Sequence, residues 1–317
     1  MDSWTRARHL LARAGLPAGL LTRVTPLSGG TYNTVEELLL DDGTRYVLKT
    51  APHADGLRHE KRLLVSEADF YAGAARAGVP APRVLAQDDD HLLMTAIPGI
   101  QWADDTLTPT QRTVLRTELA GQVARLHRIT GPGYGYPSGA LGLLAPDWRT
   151  AFTGMLDAVL ADADHYGAEL PLGTAEIRSA AAPAYAALDE VTTPALVHFD
   201  LWPGNILIDP AAPRVTGLID GERMFWGDPL ADLVSLALLA DIRADDTFLT
   251  AYQNAGGQAD FDLPARQRYA LYRTYLYLIM LTEQVPRKAD EGHRQWARET
   301  AAPQLLAALG EIETPAA

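Results

Sequence analysis

Two polar side chains lie five residues apart on a turn between two apolar stretches of this 317-residue chain. Asp200 and Asn205 stand between Val197 and the apolar residues 206–208, and such stretches are typical of short buried strands. A further apolar stretch ends in Asp220. Carboxylate and amide oxygens suit Mg²⁺, and a carboxylate can accept or orient the proton of a hydroxyl group. The alternative is an ordinary polar turn, since Asp, Asn, Pro and Gly favour turns.

The pattern His198-x-Asp200-x-x-x-x-Asn205, followed by Asp220, resembles the catalytic segment of the aminoglycoside phosphotransferase and choline-kinase-like family of small-molecule kinases. The resemblance implies that Asp200 orients the acceptor hydroxyl. It also implies that Asn205 and Asp220 hold Mg²⁺ together with ATP, or with GTP. The chain departs from the family at Phe199, where glycine is common. It also lacks a Phe-Gly pair after Asp220, which favours a small-molecule kinase over a regulated protein kinase.

A glycine pair precedes the first predicted hairpin. Ser28, Gly29 and Gly30 follow a predicted strand, and adjacent glycines let backbone N–H groups approach phosphates without a Cβ in the way. A plain turn explains the same residues. The position resembles the nucleotide loop of the kinase family, which makes these residues candidates for phosphate binding.

A lysine and a glutamate are expected to form a buried ion pair. Lys49 is one of three lysines in the chain and stands on a predicted strand, where kinases place the lysine that reaches the α- and β-phosphates. An exposed strand-end lysine is the alternative. Glu67 lies in the apolar stripe of a helix predicted over residues 57–77, where an unpaired carboxylate is costly. We therefore expect Lys49 to pair with Glu67, with Glu60 as the possible substitute.

These features follow one another in kinase order over residues 20–240. The resemblance implies an α+β, protein-kinase-like bilobal fold. Its N-terminal nucleotide-binding lobe, residues 1–97, would be an antiparallel β-sheet with one long helix. A larger, mainly helical lobe, residues 98–317, would carry catalysis and acceptor binding. Met94 and Ala96 lie near the junction, where the resemblance places the backbone groups that hydrogen-bond to adenine.

The spacing of apolar residues predicts that the second half of the chain is mainly helical. Thr108, with Pro109 after it, starts one helix as a capping residue. Asp228 and Asp232 match a Gly-Asp-Pro-x-x-Asp-Leu element of the family, and we interpret both as structural residues that brace the catalytic turn. Four tyrosines are predicted to be partly core and partly surface, namely Tyr269, Tyr272, Tyr275 and Tyr277. The predicted helices span residues 108–127, 148–166, 174–191, 231–240, 245–255, 263–284 and 292–309.

Composition and net charge limit the classes of molecule that this protein is expected to bind. The net charge of −13 argues against nucleic acid and anionic membranes as partners. The chain contains no cysteine, which excludes disulfides and thiolate chemistry. No signal peptide and no membrane-spanning stretch is evident, so we expect a cytoplasmic protein, as a monomer or homodimer.

The acceptor is the least defined part of the prediction. Trp202, Glu222 and Trp226 are candidates to contact it. A cationic aminoglycoside or related antibiotic would suit the acidic charge, and fructosamine-type, choline-like or other amino-alcohol metabolites fit too. The role is then antibiotic resistance or metabolism. Two other classes stay open: a nucleotide-binding pseudokinase, and an acyl or glycosyl transferase on another fold.

Overall fold

The computed structural model of the protein describes residues 2–27, 32–52 and 56–313. Ser28, Gly29 and Gly30, which we predicted to bind phosphate, lie outside the described residues. None of the described helices combines the length and the apolar character that a bilayer span needs.

The first part of the chain is a five-stranded antiparallel sheet with strand order β1-β2-β3-β5-β4. The turn predicted at residues 41–44 joins β2 to β3, and the Asp42 carboxylate accepts the Thr44 N–H at 2.8 Å. Helix α1 (Ser3–Arg13) packs its buried face, centred on Leu11, against one side of the sheet. The strands are β1 (Leu21–Pro26), β2 (Thr34–Leu40), β3 (Arg45–Thr50), β4 (Val84–Gln87) and β5 (His91–Thr95).

The long helix between β3 and β4 is α2 (Leu63–Ala77). It ends where predicted, because Gly78 takes the left-handed conformation that closes helices. It begins six residues later than predicted, since Arg62 has a φ of +62° and interrupts the helical path. Residues 58–60 before it form one 3₁₀ turn that is nonetheless buried at His59 and Glu60. Residues 57–62 therefore lie outside the helix, although Leu57, His59 and Glu60 are buried.

The second part of the chain is mainly helical, as predicted. Thr108 caps α3 with the expected reciprocal bonds to Gln111. The helix predicted over residues 231–240 is only one turn, because the chain turns away after Ser235 and Leu239 has a φ of +63°. The helices are α3 (Pro109–Leu126), α4 (Trp148–Tyr166), α5 (Thr174–Ala181), α6 (Asp232–Ser235), α7 (Asp246–Asn254), α8 (Leu263–Thr282), α9 (Glu291–Trp296) and α10 (Ala302–Glu313).

Helix α8 is the centre of the helical part. It packs against α4, α10 and the 3₁₀ residues 182–190, so that its middle turns have no solvent-facing side. The prediction that its tyrosines are partly surface residues is wrong. All four have 0% exposed surface, namely Tyr269, Tyr272, Tyr275 and Tyr277.

Two small sheets hold the turn at residues 198–205, here called the catalytic turn, between the five-stranded sheet and the helices. Strands β6 (Ile100–Gln101), β8 (Ile206–Asp209) and β9 (Arg214–Leu218) form one sheet. Strands β7 (Ala195–Val197) and β10 (Phe225–Gly227) form the other. Gly99, two residues beyond the predicted lobe boundary, has a φ of +132°, and a Cβ there would lie 2.9 Å from the Ile208 carbonyl oxygen. Only glycine suits this crossing.

Candidate active site

Side chains of α6 hold the backbone of the turn between β7 and β8 by hydrogen bonds. Asp232 accepts the backbone N–H groups of His198 at 3.0 Å and of Phe199 at 2.6 Å. The Ser235 hydroxyl accepts the Leu201 N–H at 2.9 Å. Buried N–H groups need such partners, so Asp232 fixes the backbone on which Asp200 stands. The structure confirms Asp232 as a bracing residue, and Asp228 caps the turn at Pro229–Ala231.

Phe199 occupies a backbone position that favours glycine. Its φ is +64°, a left-handed conformation that costs an L-residue about 1–2 kcal/mol. Its side chain is fully buried, with ring centroids 5.1 Å from Phe225 and 5.6 Å from Tyr275. The aromatic packing under the catalytic turn therefore offsets the backbone strain.

Replacing Phe199 with glycine is expected to destabilise the protein by about 2 kcal/mol. Loss of a buried ring costs about 3–5 kcal/mol, and relief of the left-handed strain returns about 1–2 kcal/mol. Chemical denaturation measures the difference. Phe199→Ala is the matched control, because it loses the ring but keeps the strain, and it should be less stable than the glycine variant by about 1 kcal/mol. A glycine variant more stable than the wild type would refute this account.

Asp200 and Asn205 are joined directly. The Asn205 side-chain amide donates to the Asp200 carbonyl at 2.8 Å and to its carboxylate at 2.9 Å. With Nδ2 assigned to these two acceptors, Oδ1 of Asn205 remains as a free oxygen ligand. The Asn205 carbonyl accepts the Ile219 N–H at 3.0 Å, which brings Asp220 alongside. Three predicted residues thus meet in one place.

The environment of Asp200 suits a proton acceptor. Burial raises the pKa of Asp200, the Asp220 carboxylate raises it further, and the Arg223 guanidinium opposes both. A carboxyl group with a raised pKa is a stronger base than a solvated one, which favours proton acceptance near neutral pH.

Lys49 lies at the centre of a carboxylate cluster. Its ammonium is 2.8 Å from Glu67, 3.7 Å from Glu222 and in contact with Asp220. The Tyr71 hydroxyl, which we did not predict, donates to Glu67 at 2.5 Å and accepts the Asp220 N–H at 3.1 Å. The Lys49–Glu67 pair is confirmed, and Glu60 is not its substitute.

The cluster carries more negative than positive charge. Oxygens of Glu67, Asp220 and Glu222 lie within 4.8 Å of one another, with Lys49 as the cation among them. Burial raises the pKa of Glu67 and, together with Asp220, that of Glu222. Burial also acts on Asp220, but the Lys49 ammonium holds the pKa of Asp220 below its usual value. Lys49 already engages Glu67, so the oxygen ligands that suit a hard divalent cation such as Mg²⁺ are the Asp220 carboxylate and the Asn205 Oδ1.

The three residues that were predicted to contact the acceptor lie in three different environments. Glu222 accepts a hydrogen bond from the Asn33 amide and faces Lys49, so it lies on the lysine side of the site. Trp226 is 6% exposed, and its ring packs on Gly131. Trp202 is 41% exposed beside the catalytic turn. Contact of any of these three with an acceptor remains a prediction.

The predicted adenine contacts lie at the C-terminal end of β5, an inner strand of the sheet. Met94 is the penultimate residue of β5 and pairs with both Val47 and Val84, which leaves its backbone groups inside the sheet. Ala96 follows the strand, and its N–H donates to the Arg45 carbonyl at 3.3 Å. Contact of either residue with adenine remains a prediction.

Sequence reasoning missed a group of buried charges beside Asp200. Arg223 donates to Glu283 at 2.7 Å. Arg287 lies 2.5 Å from Glu60 and 3.1 Å from Glu283. Two signals were present: Arg223 stands three residues after Asp220, and Glu283 and Arg287 are spaced i, i+4 immediately after α8. Arg223 lies outside the motif that we used, and an i, i+4 pair of opposite charges such as Glu283 and Arg287 is ordinary in helical sequences.

Comparison with known proteins matches this chain to one protein family and to two related proteins. Residues 23–272 match the model of the phosphotransferase enzyme family. The aminoglycoside 3′-phosphotransferase of Streptomyces fradiae is 31% identical over 204 residues, which are 60% of this chain and 69% of that protein. A "probable ketoamine kinase" of Lactiplantibacillus plantarum is 28% identical over 276 residues, which are 81% of this chain and 89% of that protein.

The fold is shared with solved structures. A protein of Thermobifida fusca YX-ER1 that is assigned as a fructosamine-3-kinase superposes with a TM-score of 0.69 at 22% identity, over 96% of this chain and 99% of that chain. The fold is therefore the protein-kinase-like α+β fold that the sequence predicts.

Proposed function

The chain belongs to the phosphotransferase enzyme family and is a small-molecule kinase, and from that premise we propose that its acceptor is a sugar-derived ketoamine. The reaction transfers the γ-phosphoryl group of MgATP to a hydroxyl group of the sugar. GTP is an alternative donor. Because the reaction consumes a nucleoside triphosphate, we propose that it takes place in the cytoplasm.

The observation that carries this proposal is the charge balance beside Asp200. Glu283 pairs with both Arg223 and Arg287, and Glu60 pairs with Arg287. A polycationic aminoglycoside needs several carboxylates without partners of their own, whereas these carboxylates are already neutralised. A sugar with a single amine requires much less compensation. The charges around the described acceptor side therefore favour a ketoamine.

An exposed aromatic ring supports a sugar acceptor. The Trp202 ring lies over Gly204, where a Cβ would come within 2.2 Å of it, and 41% of the residue is exposed. Small-molecule sites combine aromatic surface with a few polar groups that set orientation. The ring offers a flat apolar face for the C–H side of a sugar next to Asp200.

The site geometry supports the following chemical step. Asp200 orients the acceptor hydroxyl and accepts its proton as the new O–P bond forms and the bond to the ADP oxygen breaks. Asn205 and Asp220 would hold Mg²⁺, which neutralises phosphate charge when bound. Lys49, positioned by Glu67, would contact the α- and β-phosphates.

A second candidate acceptor is an aminoglycoside. The 31% identity to an aminoglycoside 3′-phosphotransferase favours it, and so does the net charge of −13. In that case the role would be antibiotic resistance. The paired state of Glu60 and Glu283 is the observation against it.

ADP release from MgATP distinguishes the candidates. We expect turnover with fructosyl-glycine or fructosyl-butylamine and at least about tenfold lower kcat/KM with neomycin-type aminoglycosides. Turnover with aminoglycosides alone would select the second candidate. Nucleotide binding without turnover on a wide acceptor panel would indicate a pseudokinase instead.

A further inference from the structure

A tyrosine hydroxyl on α2 joins two residues of the candidate active site. Tyr71 is 2% exposed, and its hydroxyl donates to the Glu67 carboxylate at 2.5 Å and accepts the Asp220 N–H at 3.1 Å. The direction of both bonds is fixed, because an amide N–H can only donate, which leaves the hydroxyl proton for Glu67. Glu67 lies one turn earlier on the same helix, whereas Asp220 follows 149 residues later in the chain.

The backbone of Asp220 has a conformation that needs support. Its φ is +63° and its ψ is +43°, in the left-handed region that is unfavourable for L-residues in general and that aspartate adopts as a single residue. Such conformations persist where the surrounding contacts hold them. Because the Cβ direction follows from the backbone, these contacts also decide where the Asp220 carboxylate points.

The residues on either side of Asp220 are held by other contacts. The N–H of Ile219 donates to the Asn205 carbonyl at 3.0 Å. Gly221 lies against the Phe70 ring of α2, with which a Cβ at position 221 would collide. These contacts fix the chain before and after the carboxylate, but neither acts on the N–H of Asp220 itself. The hydroxyl on α2 holds that group.

Lys49 acts on a different part of Asp220. Its ammonium contacts the carboxylate, which is the group that we propose as a Mg²⁺ ligand. The Tyr71 hydroxyl contacts the backbone N–H instead, so it does not compete for the carboxylate oxygens. An N–H group that is shielded from water is costly without a partner. The hydroxyl therefore favours the left-handed backbone over conformations that turn the N–H away.

We propose that Tyr71 is a positioning residue for divalent-cation binding, because its hydroxyl holds the backbone of Asp220 so that the carboxylate faces the cation. Glu67 accepts the hydroxyl proton and thereby directs a lone pair of the oxygen at the Asp220 N–H. This inference rests on the proposed function, in which Asp220 binds Mg²⁺ together with the nucleotide, and it adds a residue that acts through Asp220.

Tyr71→Phe tests the proposal, because it keeps the ring and removes the hydroxyl. The measurement is calorimetric titration with AMP-PNP, once with saturating Mg²⁺ and once with EDTA. We expect the variant to bind AMP-PNP with Mg²⁺ at least about tenfold more weakly than the wild type, the usual effect of removing a group that orients a metal ligand. Binding in EDTA should change less than about twofold, since Glu67 keeps its bond to Lys49 at 2.8 Å.

Tyr269→Phe is the matched control. Tyr269 has 0% exposed surface, and its hydroxyl also accepts a backbone N–H, that of Ile242 at 3.2 Å. This contact joins α8 to residues 242–244, and neither partner is a candidate site residue. The control loses the same kind of hydrogen bond and should bind AMP-PNP with Mg²⁺ as the wild type does. A control that weakens as much as Tyr71→Phe would overturn the proposal.

A second measurement needs no variant. In the wild type without nucleotide or cation, the Asp220 amide should be protected from hydrogen exchange, because Tyr71 accepts its proton. In Tyr71→Phe this protection should fall at least about tenfold, while that of Ile219, which donates to Asn205, changes little. NMR follows both amides. An unprotected Asp220 amide in the wild type would overturn the proposal whether or not the variant folds.

The outcomes separate this proposal from the proposed function. Ketoamine turnover by the wild type, with unchanged binding of AMP-PNP and Mg²⁺ in Tyr71→Phe, would overturn the positioning role and leave the ketoamine kinase standing. Weaker binding in the variant, but no turnover with any ketoamine, would support the positioning role and overturn the proposed acceptor. If the wild type bound AMP-PNP equally with Mg²⁺ and with EDTA, the cation role of Asp220 would fall, and the inference with it.

Discussion

Asp200→Asn is expected to lower kcat by about 10²–10⁴-fold, the usual range for loss of a general base. The geometry should survive, because the carboxamide oxygen of the new side chain can still accept the hydrogen bond from Asn205, which now spans 2.9 Å. An amide has no basic oxygen, so the acceptor hydroxyl would be held but not deprotonated. KM for MgATP should change little, since Asp200 does not touch Lys49 or Glu67.

Steady-state ADP release with the best acceptor measures this loss, and nucleotide titration checks binding. Asp189→Asn is the matched control, because Asp189 forms an exposed ion pair with Arg149, and it should retain wild-type kcat. A variant at Asp200 with more than about a tenth of wild-type kcat would show that this carboxylate is not the base.

Lys49→Met is expected to abolish detectable turnover and to destabilise the protein by about 3 kcal/mol at pH 8. The ammonium of Lys49 is the partner of Glu67, which is 0% exposed, and removal of one partner of a buried ion pair leaves an uncompensated charge. The nearby Asp220 and Glu222 carboxylates add repulsion. We expect catalysis to fail because the ammonium that would contact the α- and β-phosphates is lost.

The stability loss should depend on pH in a defined direction. Burial already raises the pKa of Glu67, and Lys49 is the main group that opposes that rise, so its removal should raise the pKa further. A group whose pKa is higher in the folded state binds more protons there than in the unfolded state, so stability increases as pH falls. Lys49→Met should therefore lose less stability relative to wild type at pH 5.5 than at pH 8.

Denaturant titrations at both pH values test this, and Lys61→Met serves as the control because Lys61 is an exposed lysine. The control should match wild type at both pH values. A Lys49 variant as stable as wild type at pH 8, or one that weakens further on acidification, would refute the buried charge cluster.

Residue types and their spacing determined the catalytic side of this protein. Asp200, Asn205 and Asp220 were predictable because a short turn and two strands fix their separation, whatever surrounds them. The Lys49–Glu67 pair was predictable for a different reason: a carboxylate in an apolar stripe must find a cation, and this chain offers few lysines.

Tertiary packing decided the helix boundary, the burial and the ion pairs that short-range sequence patterns do not encode. Residues 57–62 were predicted as the start of a helix, but the left-handed Arg62 breaks the helical path, and Glu60 is buried where it meets Arg287, 227 residues away. Helix α8 is enclosed by neighbours, so even its tyrosines are core, which the periodicity of a single helix cannot show. The buried ion pairs of Glu283 and Glu60 arise from such distant contacts, because sequence alone does not show which arginine each glutamate will pair with. The sequence by itself determined the phosphoryl-transfer chemistry, and the tertiary structure decided which charges remain available to the acceptor.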